Sequence, residues 1–168
     1  MCIRDSTSTH HLNRLIADLL DVSRIAAQRF SVEKQVVSLP RLIHSTAERT
    51  ASTIPSHPVR VEIVGTIPDL EVDPQRIEQV LDNLLSNAAK YSTPQSEIDL
   101  KLERFNDRVR VSVINQGPGI PPAELPQLSA RFYRTQDART GAVRGLGLGL
   151  YISKGIVEAH GGRIWAES

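Results

Sequence analysis

The sequence predicts an α+β sandwich, because strand and helix patterns are mixed along its 168 residues without strict alternation. Several stretches alternate apolar and polar residues, which is typical of half-buried strands. Other stretches place apolar residues at helical spacing. A content of 40% hydrophobic and 23% charged residues is ordinary for a globular protein and argues against disorder. The length fits one full domain plus an attached element.

Four segments have the apolar spacing of helices. The first repeats apolar residues at alternating three- and four-residue steps, as in a helix that packs against other helices. These residues are Leu12, Leu15, Leu19, Val22 and Ala26. The third is the clearest, because Asp73 and Pro74 supply an N-cap and a first-turn proline. The predicted helices cover residues 10 to about 28, 38 to about 51, 74–91 and 148–160.

The strands are predicted from alternation of apolar and polar residues. They cover residues 59–63, 98–102 and 109–113, with a short final strand at 163–166. Asn106 and Asp107 predict a hairpin turn between the second and third strands. The stretch from Gly117 to Gly145 is rich in turn residues and carries only short helical pieces. A loop of this length in a compact domain is usually functional.

Charge and cysteine content exclude several protein classes. The 20 basic and 19 acidic residues leave a net charge of +1, so no bulk field favours nucleic acid or an anionic membrane. Cys2 is the only cysteine, which excludes an internal disulfide and fits a reducing cytoplasm. No apolar run reaches the ~18 residues of a membrane span. We therefore expect a soluble cytoplasmic domain without a membrane segment or a nucleic-acid partner.

Polar residues follow one edge of the predicted third helix. Asn83, Asn87, Lys90 and Tyr91 lie at helical spacing beside its apolar stripe. An asparagine oxygen is a neutral hard ligand suited to Mg2+, and a lysine can neutralise phosphate oxygens. A solvated polar flank is the favoured explanation of these four residues when they are taken alone.

The run Gly145-Leu146-Gly147-Leu148-Gly149 enters the last predicted helix. Helix amides at this end favour anions, and glycine lets a phosphate approach the backbone. Each glycine inside a helix costs ~1 kcal/mol relative to alanine, so three alternating glycines need an explanation. Neither a P-loop nor a complete dinucleotide fingerprint is present. Tight packing against the sheet is the alternative explanation.

A third polar segment, Asn115-Gln116-Gly117-Pro118-Gly119-Ile120, ends a predicted strand. Its asparagine could bond to a base edge while the two glycines turn the backbone beneath the ligand. A simple turn explains the segment almost as well. The occurrence of all three motifs in one order, on the appropriate elements, favours a nucleotide site.

These motifs resemble the signature boxes of sensor histidine kinases of two-component systems. Residues 83–92 resemble the N box, residues 115–120 the G1 box, Arg131-Phe-Tyr-Arg134 the F box, and residues 145–149 the G2 box. The resemblance implies a Bergerat-type ATP-binding fold of the GHKL superfamily. We expect residues 7–30 to be the second helix of a dimerisation hairpin. Residues 31–168 are then expected to be the catalytic domain without its last strand.

The resemblance also implies a site for ATP and Mg2+. Asn87 would coordinate the metal, Asn83 would lie near the phosphates, and Asn115 would face the adenine amino group. Lys90, Tyr91 and Arg134 would hold the triphosphate. The other implied ATP-binding residues lie in the two glycine turns, and they are Gly117, Gly119, Ile120, Gly145, Leu146, Gly147, Leu148 and Gly149.

The implied activity is that of a protein histidine kinase, which moves the γ-phosphoryl of ATP to a histidine and then to an aspartate of a response regulator. Related ATPases carry a glutamate general base where Asn83 stands here. Because an amide is not a base, transfer is favoured over hydrolysis. The implied partners are a second copy, bound through the N-terminal helix, and a response-regulator receiver domain. The parent's anchoring in an inner membrane would lie outside these residues.

The chain is expected to be a fragment that cannot phosphorylate itself. Residues 1–6, MCIRDS, resemble the translated end of a sequencing adapter. None of the histidines lies in the family's acceptor motif, and they are His10, His11, His44, His57 and His160.

Two other functions remain open. A degenerate nucleotide sensor or scaffold is favoured by Asn115, where the family usually has aspartate. The neutral amide gives up about 1 kcal/mol of charge-assisted bonding to adenine. An anti-sigma-factor serine kinase of the same superfamily would not need the helix at residues 12–27.

Overall fold

The computed structural model describes residues 4–135 and 145–168. Residues 1–3 of the adapter-like segment and residues 136–144 of the predicted long loop therefore lie outside the described residues. Helices and strands follow one another irregularly, which confirms the predicted α+β class. In chain order they are α1 (Arg4–Ala26), β1 (Gln35–Val37), α2 (Leu39–Thr53), β2 (Val59–Val64), β3 (Leu70–Val72), α3 (Pro74–Tyr91), β4 (Ile98–Phe105), β5 (Arg108–Ile114), a 3-10 turn (Leu125–Gln127) and α4 (Gly149–Ala159).

The chain divides into two compact units. The sheet unit consists of Val32–Leu125 and Trp165–Ser168, and the helical unit consists of Met1–Ser31 and Pro126–Ile164. Apolar residues are buried inside each of them. The predicted site residues fall in both units, so each half of the predicted site is described within its own unit.

The sheet unit is built on a three-stranded sheet in the order β2-β4-β5. β2 runs parallel to β4, and β4 runs antiparallel to β5. The predicted two-residue turn joins β4 and β5, with Asn106 in the left-handed conformation (φ 58°) that asparagine tolerates better than most residues. β1 and β3 form a separate two-stranded antiparallel sheet. The hairpin and all three longer strands are thus confirmed.

α2 and α3 cover one face of the three-stranded sheet. Ile98, Leu100 and Leu102 of β4 are completely buried there, together with Ile43 of α2 and Leu85 of α3. The period-two pattern of β4 therefore points its apolar side chains at the helices. This packing gives the sheet unit the two layers expected of a sandwich, and it fixes α3, which carries four predicted site residues.

An ion pair also links the two helices at their solvent side. The Nη2 atom of Arg49 on α2 donates to Oδ1 of Asp82 on α3 at 3.0 Å. Both side chains are nearly half exposed, so the pair contributes less than about 1 kcal/mol. The buried apolar face, rather than this pair, determines where α3 lies.

The helical unit packs α1 against α4. A Cβ atom on Gly155 of α4 would lie 2.5 Å from Cδ1 of Ile25 on α1, so the glycine lets the two helices approach closely. Val22 of α1 and Ile152 and Ile156 of α4 are buried. Other apolar side chains of α1 are about half exposed, and they are Leu12, Ile16, Leu19 and Leu20. The predicted apolar seam of α1 is therefore only partly covered.

α1 begins at Arg4, earlier than the predicted residue 10, and ends at Ala26. Its end is capped by backbone bonds, because the amides of Gln28 and Arg29 donate to the carbonyls of Ile25 and Arg24. Gln28 takes the left-handed conformation (φ 55°) that this type of cap requires. The cap explains why the helix stops before residue 28.

The predicted strand at residues 163–166 is wrong, because residues 162–168 form no strand in the structure. A strand needs a hydrogen-bonded neighbour, and the described residues offer this segment none. The ring of Trp165 instead faces the guanidinium of Arg110, with 5.4 Å between the guanidinium carbon and the ring centre. β1 and β3 were not predicted, since three residues are too few to display alternation.

Membrane insertion of the helices can be assessed from their length and hydropathy. None of the helices in the described ranges is both long and apolar enough to cross a bilayer.

Candidate functional site

The polar edge of α3 is positioned by the capping of its first turn. Asp73 is the N-cap residue and Pro74 occupies the first turn, as predicted. Asn83 and Asn87 are half-buried beside the covered face of the helix. The side chains of Lys90 and Tyr91, in the last turn, are exposed. The structure thus places these four predicted residues along one edge and end of α3.

The carboxylate of Asp73 accepts hydrogen bonds from backbone amides. Its Oδ1 accepts from the amide of Arg76 in α3 at 3.2 Å, and its Oδ2 accepts from the amide of Glu33 at 3.0 Å. The residue is only 9% exposed. Burial raises the pKa of the Asp73 carboxyl, but the amides of Glu33 and Arg76 lower it, and the net pKa lies below its ordinary value.

This depressed pKa makes stability depend on pH. The charged form of Asp73 stabilises the fold above the ordinary pKa, and that contribution is lost as the pH falls through the lower folded-state value. We expect the Asp73→Asn variant to be about 1 kcal/mol less stable than wild type at pH 7, because a neutral amide loses the charge assistance in the bonds to the backbone amides. The difference should shrink below about pH 4. Urea unfolding of both proteins at pH 7, 4 and 3 measures this difference in stability. A difference that is the same at all three pH values would contradict the role given to the charged Asp73 carboxylate.

The turn after β5 meets the end of α3 inside the sheet unit. The amide of Thr93 donates to the carbonyl of Gln116 at 2.7 Å. A Cβ atom on Gly117 would collide with the carbonyl oxygen of Tyr91, so this position must be glycine for the two segments to touch. Asn115 is exposed at the start of the turn. The structure therefore brings the predicted N-box and G1 residues together.

The far side of the same turn contacts the last residue of the chain. The amide of Ile120 donates to the Oγ atom of Ser168 at 2.7 Å. Gly119 has a φ of 78°, which is the left-handed region, and a Cβ there would lie 3.3 Å from the same Oγ atom. This contact was not predicted, because the order of residues gives no sign that residue 168 returns to residue 120.

The second glycine turn lies in the helical unit and contacts the predicted F box. The amide of Phe132 donates to the carbonyl of Gly147 at 3.1 Å. Gly147 has a φ of 69°, and a Cβ there would lie 2.5 Å from the carbonyl oxygen of Tyr133. Among residues 4–135 and 145–168, in contrast, no atom lies within 4 Å of a Cβ built on Gly145. Packing thus requires glycine at 147, and its neighbour is the F-box backbone, not the sheet of the alternative explanation.

The other residues of the second glycine turn and of the F box differ in how far they are buried. Leu148 is 2% exposed and is the N-cap of α4, so its side chain lies in the apolar interior. A leucine side chain cannot cap a helix. The first backbone amides of α4, which begins at Gly149, are therefore not capped by the side chain of Leu148. Leu146 is half exposed and Arg134 is half-buried. Because the side chain of Leu148 is buried, this residue can bind a ligand only through its backbone.

The F-box segment has an unusual backbone. Phe132 is 59% exposed and has a φ of 60°, which is rare for a bulky residue. Next to it, the guanidinium carbon of Arg131 lies 5.7 Å from the centre of the Tyr151 ring on α4. Neither feature was predicted, because a strained φ leaves no pattern in the sequence. Strained backbone of this kind is common at ligand sites.

A metal site in this part of the chain would not be a cage of charged side chains. Among residues 4–135 and 145–168, no group of three or more His, Cys, Asp or Glu side chains is placed to hold a metal ion. Mg2+ does not require such a group, because it is commonly held by one or two protein oxygens together with substrate phosphates and water. Asn87, half-buried at the edge of α3, is a side chain that fits this role.

Comparison with known proteins identifies the same family. Residues 72–168 match the model of the family described as histidine kinase-, DNA gyrase B-, and HSP90-like ATPase. The chain is 35% identical to the sensor histidine kinase WalK of Bacillus subtilis over 166 residues. This match covers 95% of the chain but 27% of WalK, so the chain spans about a quarter of that relative.

Solved structures of histidine kinases are also similar to this chain. The catalytic domain of histidine kinase ThkA is 32% identical with a TM-score of 0.70, covering 82% of this chain and 88% of ThkA's. Full-length ShkA in complex with AMPPNP is 26% identical with a TM-score of 0.79, covering 92% of this chain and 32% of ShkA's. ThkA has also been solved in complex with the response regulator protein TrrA, at 28% identity and a TM-score of 0.70, covering 95% of this chain and 45% of ThkA's.

The family match at residues 72–168 includes α3 and the turn after β5. The chain therefore belongs to the family of histidine kinase-, DNA gyrase B-, and HSP90-like ATPases, and it carries the catalytic domain of a sensor histidine kinase.

Proposed function

We propose that this chain binds ATP with Mg2+ and, in its parent protein, supplies the ATP-binding part of a histidine kinase. The observation that carries the proposal is the junction of α3 with the turn after β5, made by the 2.7 Å bond from Thr93 to Gln116 and by the approach of Gly117 to Tyr91. This junction brings amide, cationic and glycine positions to one end of the sheet unit. Such a convergence of polar groups is typical of a ligand site.

Within this proposal each residue has a chemical task. The amide oxygen of Asn87 ligates the metal, which supplies neutralisation of phosphate charge when it is bound. Asn83 lies one helical turn earlier and would hold a phosphate oxygen. Lys90 and Tyr91 extend from the exposed end of α3 toward the phosphates, and Asn115 accepts a hydrogen bond from the adenine amino group.

Within the helical unit, we propose the start of α4 as a segment whose backbone binds phosphate. The amides that begin α4 at Gly149 carry the partial positive charge of the helix, which favours phosphate oxygens. Gly145 has space around its Cβ direction, which supports a close approach of ligand to the backbone. Arg134 supplies a charge-assisted bond to the triphosphate.

We infer two protein partners for the parent. Exposed apolar side chains on α1 form a helical stripe, Leu12, Ile16, Leu19 and Leu20, which suits packing against a second helix of a dimer. The structure of ThkA with a response regulator supports a receiver domain as the second partner. The phosphoryl group would pass from ATP to a histidine and then to an aspartate of that domain. A reducing cytoplasm suits the single cysteine.

Nucleotide titration tests the proposed function. We expect AMPPNP to bind the chain, and to bind more tightly with Mg2+ than with a chelator. The Asn115→Asp variant should bind up to about tenfold more tightly, because a charged acceptor strengthens the bond to adenine. Calorimetric titration of both proteins measures this. Equal affinities would remove Asn115 from the adenine site, and absence of binding by both proteins would refute the proposed function.

A degenerate sensor or scaffold is the second candidate, and the exposed neutral amide of Asn115 favours it. The two candidates differ in phosphoryl transfer rather than in binding. We expect labelled phosphate to appear on a separately supplied peptide or domain that carries the acceptor histidine helix. Tight binding without any transfer to that acceptor would favour the sensor.

A further inference from the structure

A buried histidine outside the predicted site holds the loop that follows α3. His57 lies just before β2, is 7% exposed, and has its Nδ1 atom 3.0 Å from the carbonyl oxygen of Ser96. A carbonyl oxygen only accepts hydrogen bonds, so Nδ1 carries the hydrogen and donates. The imidazole thus binds the backbone of a segment 39 residues away in sequence.

The bond from His57 continues as a chain of hydrogen bonds to the G1 turn. The amide and the Oγ of Ser96 both donate to the carbonyl of Thr93, at 3.1 and 2.8 Å. The amide of Thr93 then donates to the carbonyl of Gln116 at 2.7 Å. Gln116 lies between Asn115 and the glycine that contacts α3. Together these hydrogen bonds connect the buried imidazole of His57 to the turn that is proposed to face adenine.

The loop between α3 and β4 has a second attachment beside the first. The amide of Ile98 donates to the carbonyl of Pro58 at 2.9 Å, next to His57 in sequence. Gln95, the residue before Ser96, takes a left-handed conformation with a φ of 65°. A non-glycine residue in this region costs of order 1 kcal/mol and needs support from its surroundings. The donor of His57 provides such support at the adjacent residue.

We propose that His57 is a positioning residue for the adenine end of the nucleotide site, acting through Ser96 and Thr93 on Gln116. The proposal rests on the proposed ATP-binding function. The imidazole does not touch the nucleotide. It sets the position of the loop whose Thr93 amide fixes the G1 turn, and its contribution is made through the N–H group at Nδ1.

Titration of ADP into variants of position 57 tests the proposal. His57→Leu removes the donor, and we expect ADP to bind about tenfold more weakly. His57→Asn returns an N–H donor close to the position of Nδ1, and its affinity should lie within about twofold of wild type. His44→Leu is the matched control, because His44 is exposed on α2, and its affinity should not change. His57→Phe keeps a ring without a donor and replaces His57→Leu if that variant does not fold.

Amide hydrogen exchange at Thr93 separates this proposal from the proposed function. We expect exchange to be faster in His57→Leu and to return to the wild-type rate in His57→Asn. If wild type binds no ADP, the ATP-binding proposal fails, and the exchange rates alone decide the role of His57. Unchanged ADP affinity in His57→Leu, unchanged exchange at Thr93, or a failure of His57→Asn to restore the lost property would each overturn the proposal.

Discussion

Replacing Asn87 with alanine is expected to weaken binding of Mg2+–ATP by about a hundredfold, because the proposed metal ligand is lost. Binding of ATP in a chelator should change by less than about threefold, since the phosphates and adenine keep their other contacts. Alanine is a better helix former than asparagine, so α3 should be at least as stable in the variant. The loss can therefore be assigned to the ligand position.

Calorimetric titration with and without Mg2+ measures this difference. Asn13→Ala is the matched control, because Asn13 is exposed on α1 and undergoes the same chemical change. Its affinity for Mg2+–ATP should equal that of wild type. Equal losses with and without metal in Asn87→Ala would show that Asn87 contacts the nucleotide or shapes the site, and does not hold the metal.

The Gly147→Ala variant should lose about 2–4 kcal/mol of stability. Its Cβ would lie 2.5 Å from the carbonyl oxygen of Tyr133 and 2.9 Å from the carbonyl carbon of Phe132, and its φ of 69° is already unfavourable for alanine. Neither neighbour is the flexible end of a side chain, so the backbone itself must move. We expect the melting temperature to fall by about 5–10 °C.

Gly145→Ala makes the same chemical change two residues earlier and serves as the control. No atom of the part of the chain that the structure describes lies within 4 Å of its Cβ direction, and its backbone is not in the left-handed region. Thermal unfolding should therefore shift by less than about 2 °C. A Gly147→Ala melting temperature equal to that of Gly145→Ala would contradict the packing described for this turn. A loss of nucleotide affinity in Gly145→Ala without loss of stability would indicate close contact with phosphate.

The sequence contained enough information for the long elements. α3 and β4 have strong periodic patterns that match their burial, so their type and approximate bounds could be predicted. β1 and β3 each have three residues and depend on pairing with each other, which no local pattern reveals. The strand expected at residues 163–166 failed for the related reason that a strand exists only with a partner.

The residues of the candidate site could be predicted individually from the sequence. The contacts among them could not. The motifs around Asn87 and Gly117 were recognised from residue types, and the structure brings the ends of these two segments together. The roles of Thr93 and His57 depend on distances between segments that are far apart in sequence. Packing against the sheet was the alternative explanation of the glycine run, whereas the neighbours of Gly147 are Phe132 and Tyr133.

The strand order β2-β4-β5 also bears on how the sheet forms in time. β4 and β5 are joined by a two-residue turn, and hairpins of this kind form within about 1–10 μs. β2 must find β4 across 39 residues, and this parallel pairing pays for closing a long loop that includes α3. In pulse-labelling experiments during refolding, amides of the hairpin should therefore gain protection before those of β2, so the pairing of β2 with β4 is the step that completes the sheet.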